Sequence, residues 1–382
     1  MSESVARWAL LFGNFVIGTG VLAPAGLINQ LSAAFDIDVA TAGSLIAYGA
    51  ALLFVEAPLL AFFTNRMDRR ALLTGALVLY AAGHLASGFA SSFAMLLIAR
   101  LAMIGGAAVF TPQAASAIGL FVPVERRSSA VAFIFLGWSF ALAIGIPLVS
   151  LIGAYTGWAT AYFILGAASA LAACVVFGSV PRGLTAPPMS AAAWSRLLTT
   201  KSVLLLLAVT TIFVAGQFTA YPFVAAELKA RLGADPNLIA ILLAVYGLAG
   251  VIGSVISAAA IGKLGAPRSS SYALIGVIIG LALWAGSGAS LAVASVGLFL
   301  WGTGGGPAIS SQQARLIAAN PAASSASVAM NTSVLYAGQA LGTALGGHLL
   351  ASGHLAGLGF IGVALVCVAL ALSLLAQRRF AV

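Results

Sequence analysis

The chain has 382 residues, 62% of them hydrophobic and only 7% charged, with a mean hydropathy of +1.12. A soluble globular domain carries roughly 25% charged residues, so the composition excludes one and defines an integral membrane protein. The formal net charge of +9 invites a nucleic-acid reading, which the placement of the charges removes below.

Apolar runs long enough to cross a hydrocarbon core of about 30 Å as helices recur from end to end. The short alternating segments that a β-barrel needs are absent. Twelve spans are expected, at 8–31, 42–63, 71–90, 93–119, 129–153, 160–178, 202–226, 238–262, 270–288, 291–315, 326–351 and 355–376. Met1 to Arg7 leads straight into span 1 with no small-residue cleavage site behind it, so span 1 is expected to remain in the mature protein.

Span 1 carries no carboxylate. Span 2 carries one, Glu56, in an otherwise apolar run from Ala47 to Phe63. It lies about 14 residues into the span, in the half nearer the chain termini, and is the carboxylate placed firmly inside a span. A carboxylate there is poised to exchange a proton near neutral pH. The alternatives are a structural group hydrogen-bonded across a helix interface and a direct substrate contact. His84 in span 3 reads as a satisfied packing histidine, or as a second proton carrier. Arg100 lies about seven residues into span 4, roughly 10 Å below the surface at 1.5 Å per residue. A guanidinium at that depth is expected to face a cavity or a partner rather than lipid, unless it snorkels to the interface. Cys174 and Cys367 fall inside spans 6 and 12 and read as packing residues, not as a disulfide framework.

The segment 179–201, with Pro181, Pro187, Pro188 and three basic residues, reads as a linker with a short surface helix around Trp194. Beyond it the chain repeats itself. Phe15-Val16-x-Gly18-x5-Pro24 recurs as Phe213-Val214-x-Gly216-x5-Pro222, and Tyr48-Gly49 falls on Tyr246-Gly247. Gln113 and Gln312 are near-equivalent in spans 4 and 10. The expected fold is therefore all-α, with twelve transmembrane helices in two pseudo-symmetric six-helix halves: 1–178, the linker 179–201, and 202–382. On this topology Arg7, Arg66, Arg69, Arg70, Arg126, Arg127, Arg182, Arg196, Lys201, Lys263, Arg268, Arg315, Arg378 and Arg379 share one side. Lys229 and Arg231 lie on the other, with Asp36, Asp38, Glu227 and Asp235. That asymmetry places both termini in the cytoplasm and accounts for the basic charge without nucleic acid.

In span 11, Thr332, Tyr336, Gln339 and Thr343 form a polar stripe that must face protein or water. Glycines cluster at Gly302 to Gly306 of span 10 and at Gly342, Gly346 and Gly347 of span 11, permitting close packing or bending. No HExxH, no glycine-rich phosphate loop beside a lysine and no sizeable soluble segment is present, so an enzyme, a metal site and a cofactor are not expected.

The loop Ala61-Phe-Phe-Thr-Asn65-Arg66-Met-Asp68-Arg69-Arg70 resembles the G-x-L-a-D-R-x-G-R-R signature of the major facilitator superfamily. Leu97-x-x-Arg100 with Gly105-Gly106 in span 4, Gly137-x7-Gly145-Ile146-Pro147 in span 5 and Asn331-Thr332-Ser333 in span 11 are similar to motifs of its 12-span drug:proton antiporter branch, which includes sugar-efflux, arabinose-efflux-like and purine-efflux proteins. The resemblance implies a bacterial inner-membrane transporter, monomeric, that exports a small neutral or weakly charged organic compound in exchange for protons. A proton-independent facilitator or importer is the alternative, because relatives carry an acid in span 1 that this chain lacks.

The resemblance further implies a conformational latch at Arg66, Asp68, Arg69 and Arg70, with Asn65 standing where the family has an acid. Arg100, which matches the branch motif, is assigned to proton coupling together with Glu56, which on its own burial takes over from the acid missing in span 1. Gly145 with Pro147 are implied as hinge or packing residues. The central helices of the fold are spans 1, 4, 7 and 10, which makes Asn14, Thr19, Thr111, Gln113, Gln217, Tyr221 and Gln312 substrate-binding candidates, joined by Asn331, Tyr336 and Gln339 of span 11. For each of these an interhelical hydrogen bond is the competing role.

Overall fold

The computed structural model describes residues 3–64, 66–185, 199–319, 324–355 and 357–380. Asn65 and the linker positions Pro187, Pro188, Trp194 and Arg196 lie outside the described residues. Span 1 is Glu3–Phe35, span 2 Val39–Thr64, span 3 Arg69–Gly88 and span 4 Phe93–Phe121. Span 5 runs from Arg127–Phe140 through a π-helical turn, Ala141–Gly145, into Ile146–Thr156, and span 6 is Trp158–Ser179. Span 7 runs from Lys201–Ala220 through a 3-10 turn, Tyr221–Phe223, into Val224–Leu232. Spans 8 to 12 are Pro236–Leu264, Ala266–Gly286, Leu291–Ala319, Ser324–Ala351 and Gly357–Phe380. Among the described residues eleven spans are long and apolar enough to cross a membrane. The twelfth, Ser324–Ala351, has 28 residues and packs between spans 2 and 7.

Local chemistry sets the ends. Asp68, Ser92 and Asp235 accept from the amides of Ala71, Met95 and Leu238 and so cap spans 3, 4 and 8. Single glycines join spans 5 and 6 and spans 8 and 9. Gly157 at φ 95° and Gly265 at φ 79° adopt the backbone that a one-residue reversal requires.

Span 3 packs on spans 4 and 6, and span 1 on spans 5 and 6; their counterparts, 9 on 10 and 12 and 7 on 11 and 12, repeat the arrangement. The two six-helix halves are therefore related as the sequence repeat requires. They meet along span 2 with span 11 and span 5 with span 8, pairs that the same symmetry exchanges.

Spans 2 and 11 run antiparallel in one register. A Cβ on Gly347 would lie 3.8 Å from the Ala40 Cβ, and Ser333 Oγ donates to the Phe54 carbonyl at 2.7 Å. Ala40 precedes Phe54 by 14 residues and Gly347 follows Ser333 by 14, about 21 Å of helix. The contact between spans 5 and 8 is backbone on backbone. A Cβ on Gly247 would fall 2.3 Å from the Leu142 carbonyl oxygen and 2.4 Å from the Ala143 backbone, so only glycine fits.

The ends of the bundle are distinguished by their contacts. On the face away from the termini, Asn29 Nδ2 donates to the Ala225 carbonyl at 3.0 Å, and the buried Phe223 ring sits against Gly43 and Gly346. Nearer the middle of the bundle the halves are joined by the Ser333 to Phe54 hydrogen bond. At the far face the two halves are in direct contact.

Candidate functional site

Proline has no amide hydrogen, so inside a helix it leaves the carbonyl four residues earlier without its usual partner. Pro24 does this to Gly20 in span 1, and Pro58 to Phe54 in span 2. Both carbonyls are used. Arg100, 2% exposed, donates from both terminal nitrogens to the Gly20 oxygen at 3.3 Å and from one of them to the Val21 oxygen at 3.2 Å. Its guanidinium carbon lies 5.9 Å from the Tyr162 ring centre. A buried charge is thereby held by two carbonyls and a ring face, and it joins span 4 to span 1 at the proline. The Phe54 carbonyl is taken by Ser333 of the other half.

His84 is fully buried beside this cluster, edge-on to Tyr80 at 4.6 Å and stacked on Tyr162 at 5.9 Å. Neither ring nitrogen has a hydrogen-bond partner, so the expectation of a satisfied packing histidine is corrected. Packing, with Gly20 leaving room for the ring, holds it rather than hydrogen bonds.

Glu56 is half-buried at the seam of spans 2 and 4. Its Oε2 is buried with no hydrogen-bond partner, and a Cβ on Gly105 would approach it to 3.4 Å. Arg100 and Glu56 are not brought together, since Arg100 turns toward span 1. Glu56 is also not alone. Glu227, placed on the far side just beyond span 7, is 1% exposed within the extension of that span and pairs with Arg231 at 2.9 Å. Arg231 in turn donates to the Trp284 and Ala285 carbonyls that end span 9. Arg315, placed with the termini-side charges at the end of span 10, is likewise buried, donating to Ser373 Oγ at 2.6 Å and to the Ser373 carbonyl at 3.1 Å. Cys174 and Cys367 are free and exposed on the outside of their spans, which corrects the packing role expected of them.

The polar candidates fall into three groups. In the N-terminal half, Asn14 donates to the Ile134 carbonyl at 3.0 Å and accepts from Thr111 at 2.9 Å, while Trp138 Nε1 donates to Thr111 at 3.3 Å. Thr19 bonds back to the Phe15 carbonyl and faces Gly145, and Gln113 reaches Thr64 at 3.4 Å.

In the C-terminal half, Trp301 Nε1 donates to Gln217 Oε1 at 2.9 Å. Tyr221 lies 4.8 Å from Tyr246 and 6.2 Å from Trp301, so spans 7, 8 and 10 present an aromatic cluster around one amide. Gln312 accepts from Arg315 at 3.4 Å, and Asn331 accepts from Thr210 at 2.8 Å.

The third group is the span 11 stripe. Gly338, Gly342 and Gly346 set span 11 against span 7, and Ser333 and Gly347 set it against span 2. At about 100° per residue Tyr336, Gln339 and Thr343 project between these two contact lines. All three are buried, Leu341 on the opposite side is 61% exposed, and Gln339 Nε2 and Thr343 Oγ1 have no hydrogen-bond partner.

The loop between spans 2 and 3 contacts spans 2 and 6 of its own half. Arg69 is buried and donates to the Thr64 carbonyl at 3.0 Å, and its amide donates to the Leu184 carbonyl. Arg70 lies over the Phe177 ring at 4.1 Å and lines a cavity of about 450 Å³ with Glu3, Phe121 and Ser179, while Arg66 is exposed. Asp68 accepts from the amides of Ala71 and Gly183; the Ala71 bond first, and the others with it, hold its carboxyl below the usual aspartate range.

Sequence reasoning missed Ser333 as a cross-half donor, and Trp138, Tyr246 and Trp301 as partners of its candidates. The in-span prolines were the available signal, because each marks a free carbonyl four residues back.

A bundle of twelve helices in two related halves, with buried amide, hydroxyl and aromatic groups inside each half, is a polytopic membrane protein, and its role as a transporter rather than an enzyme follows from its family. The profile of the Major Facilitator Superfamily matches residues 10–328, and the chain belongs to that superfamily. Among solved structures it is similar to a bacterial homologue of the human lysosomal transporter Spinster in an inward-facing, unoccupied conformation, at 17% identity and TM-score 0.74, covering 100% of this chain and 98% of that one. It is similar to a peptide transporter in complex with alafosfalin at 15% identity and TM-score 0.77, covering 97% and 95%. A D-xylose–proton symporter aligns at 16% identity and TM-score 0.75, covering 98% and 97%. These likenesses establish the shared fold.

Proposed function

We propose that this transporter exports a small, neutral or weakly charged organic compound in exchange for protons by alternating access, with Glu56 as the proton carrier. The observation that carries the reading is the buried, unpartnered carboxylate oxygen of Glu56, set in a helix that joins the two halves. Its carboxylate takes a proton from solvent on one face and returns it on the other, with no other bond changing. The halves 1–178 and 202–382, joined by the linker 179–201, rock against each other, and the basic residues of the termini face support its assignment to the cytoplasm of a bacterial cell.

The substrate contacts are assigned to Asn14, Thr19, Thr111, Gln113, Gln217, Tyr221, Gln312, Asn331, Tyr336 and Gln339. Amides and aromatic faces without an opposed ion suit sugars, nucleosides, purines and similar ring compounds. Arg66, Asp68, Arg69 and Arg70 form the latch, and Gly145 with Pro147 the hinge of span 5. A facilitator without proton coupling is the second reading, favoured by Arg100, whose charge is met by carbonyls of a span that lacks an acid.

The test uses inside-out vesicles acidified by respiration and a pH-quenched dye, screened with sugars, nucleosides, purines, amino acids and phenicols. Dye recovery on adding one compound, lost in Glu56→Gln, is the expected result. Uptake of a labelled compound that ignores the gradient in both proteins overturns the proton role and leaves the facilitator.

A further inference from the structure

One turn of span 2 holds three features together. Pro58 removes the helical partner of the Phe54 carbonyl, Ser333 of the opposite half supplies the replacement at 2.7 Å, and Glu56 stands between them in sequence. We propose that Ser333 is a positioning residue that ties the Glu56 turn to span 11, so that a change of charge at Glu56 is transmitted to the other half. The inference rests on the proton role proposed for Glu56.

The physical case has three parts. First, the turn is deformable, because proline deletes one ladder bond and crowds the carbonyl it faces. Second, a charge change at Glu56 has no counter-ion to answer it. Span 4 presents Gly105 there, Arg100 of that span faces span 1, and among the described residues spans 2, 4 and 11 place no charged or titratable side chain in an ion pair with Glu56. The adjustment therefore falls on the turn itself or on entering water. Third, the tether leads to the right place. Ser333 is 1% exposed, and the buried stripe beginning at Tyr336 starts three residues further along the same helix.

The test needs only protons as the probe. Spin labels are placed on the far face at Ala34→Cys and Ala351→Cys, both exposed positions, with Cys174 and Cys367 replaced by Ser. Distance distributions are recorded at about pH 5 and about pH 8, the range over which the proton role proposed for Glu56 requires it to change charge. In the wild-type background the far-face separation is expected to change population with pH, and Glu56→Gln to abolish the change. Ser333→Ala is expected to shrink the pH response about threefold to tenfold, the shift that loss of one interhelical hydrogen bond produces. Ser333→Thr, which keeps the hydroxyl, retains the response. Pro58→Ala returns an amide donor to Phe54 and weakens the response without touching Ser333. A full response in both Ser333→Ala and Pro58→Ala, alongside its loss in Glu56→Gln, overturns the tether and leaves the proton role standing. No pH response in the wild-type background, or one that survives Glu56→Gln, overturns the proton role and the tether with it.

Discussion

A disulfide across the far face tests alternating access directly. The Ala40 Cβ and a Cβ built on Gly347 are separated by 3.8 Å, the mean Cβ separation of natural disulfides at about 3.8 Å. The nearest other atoms to that built Cβ, the Ala40 oxygen and Cα, lie at 3.6 and 3.9 Å, so a cysteine enters without a clash. Ala40→Cys/Gly347→Cys, with Cys174 and Cys367 replaced by Ser, should therefore crosslink on mild oxidation. The bond holds the two Cα atoms within about 7 Å, whereas opening the far face requires spans 2 and 11 to part at this point. Transport in vesicles should fall in proportion to the crosslinked fraction measured by gel shift and return on reduction, and neither single cysteine should respond. Quantitative crosslinking with undiminished transport would refute the reasoning, because solute would then be passing without the far ends of spans 2 and 11 separating.

Arg100→Ala should strand the Gly20 carbonyl and lower the stability of the detergent-solubilised protein by about 1 to 3 kcal/mol; adding Pro24→Ala, which restores an amide donor, should recover part of the loss in thermal unfolding, and no recovery would mean that Arg100 does not act on that carbonyl. Asp68→Ala should cost about 1 kcal/mol at neutral pH through loss of the span 3 cap. Because the folded-state carboxyl of Asp68 lies below its ordinary value, that contribution is present above the unfolded pKa of about 3.9 and is lost as pH falls through the lower folded value; melting curves of wild type and variant should converge in that acid range, and a constant gap would sink the assignment. Trp301→Phe removes the donor to Gln217 and should raise the KM of the transported compound about threefold to tenfold with little change in melting temperature, whereas an unchanged KM would take this pair out of the binding site.

The fold was legible because helices in a bilayer must be long, apolar and internally hydrogen-bonded. The repeat of Phe15 to Pro24 at Phe213 to Pro222 then fixed the two halves. What pattern could not supply was direction around each helix. Sequence placed Glu227 and Arg315 only by side of the membrane, near span ends, and neighbouring helix ends and serines bury them. The polar stripe of span 11 was visible from spacing alone. Its inward orientation is set by glycines on one flank and by Ser333 on the other, a three-body arrangement that no single helix encodes. Likewise Arg100 was recognised as buried, but its partners are main-chain atoms, which carry no sequence signature except the proline that frees them.

Pro24 and Pro222 occupy matching places in the repeat, and their surroundings have diverged. Span 1 runs unbroken past its proline with Arg100 donating to the freed carbonyl, while the matching position in span 10 is Leu298 and span 7 gives way to a 3-10 turn at Tyr221–Phe223. The two central helices are therefore built unequally despite their common plan: span 1 is continuous and braced by Arg100 at its proline, and span 7 is interrupted by a 3-10 turn at its own. Equivalent substitutions beside Pro24 and Pro222 thus meet different local backbones, an unbroken helix in span 1 and a 3-10 turn in span 7.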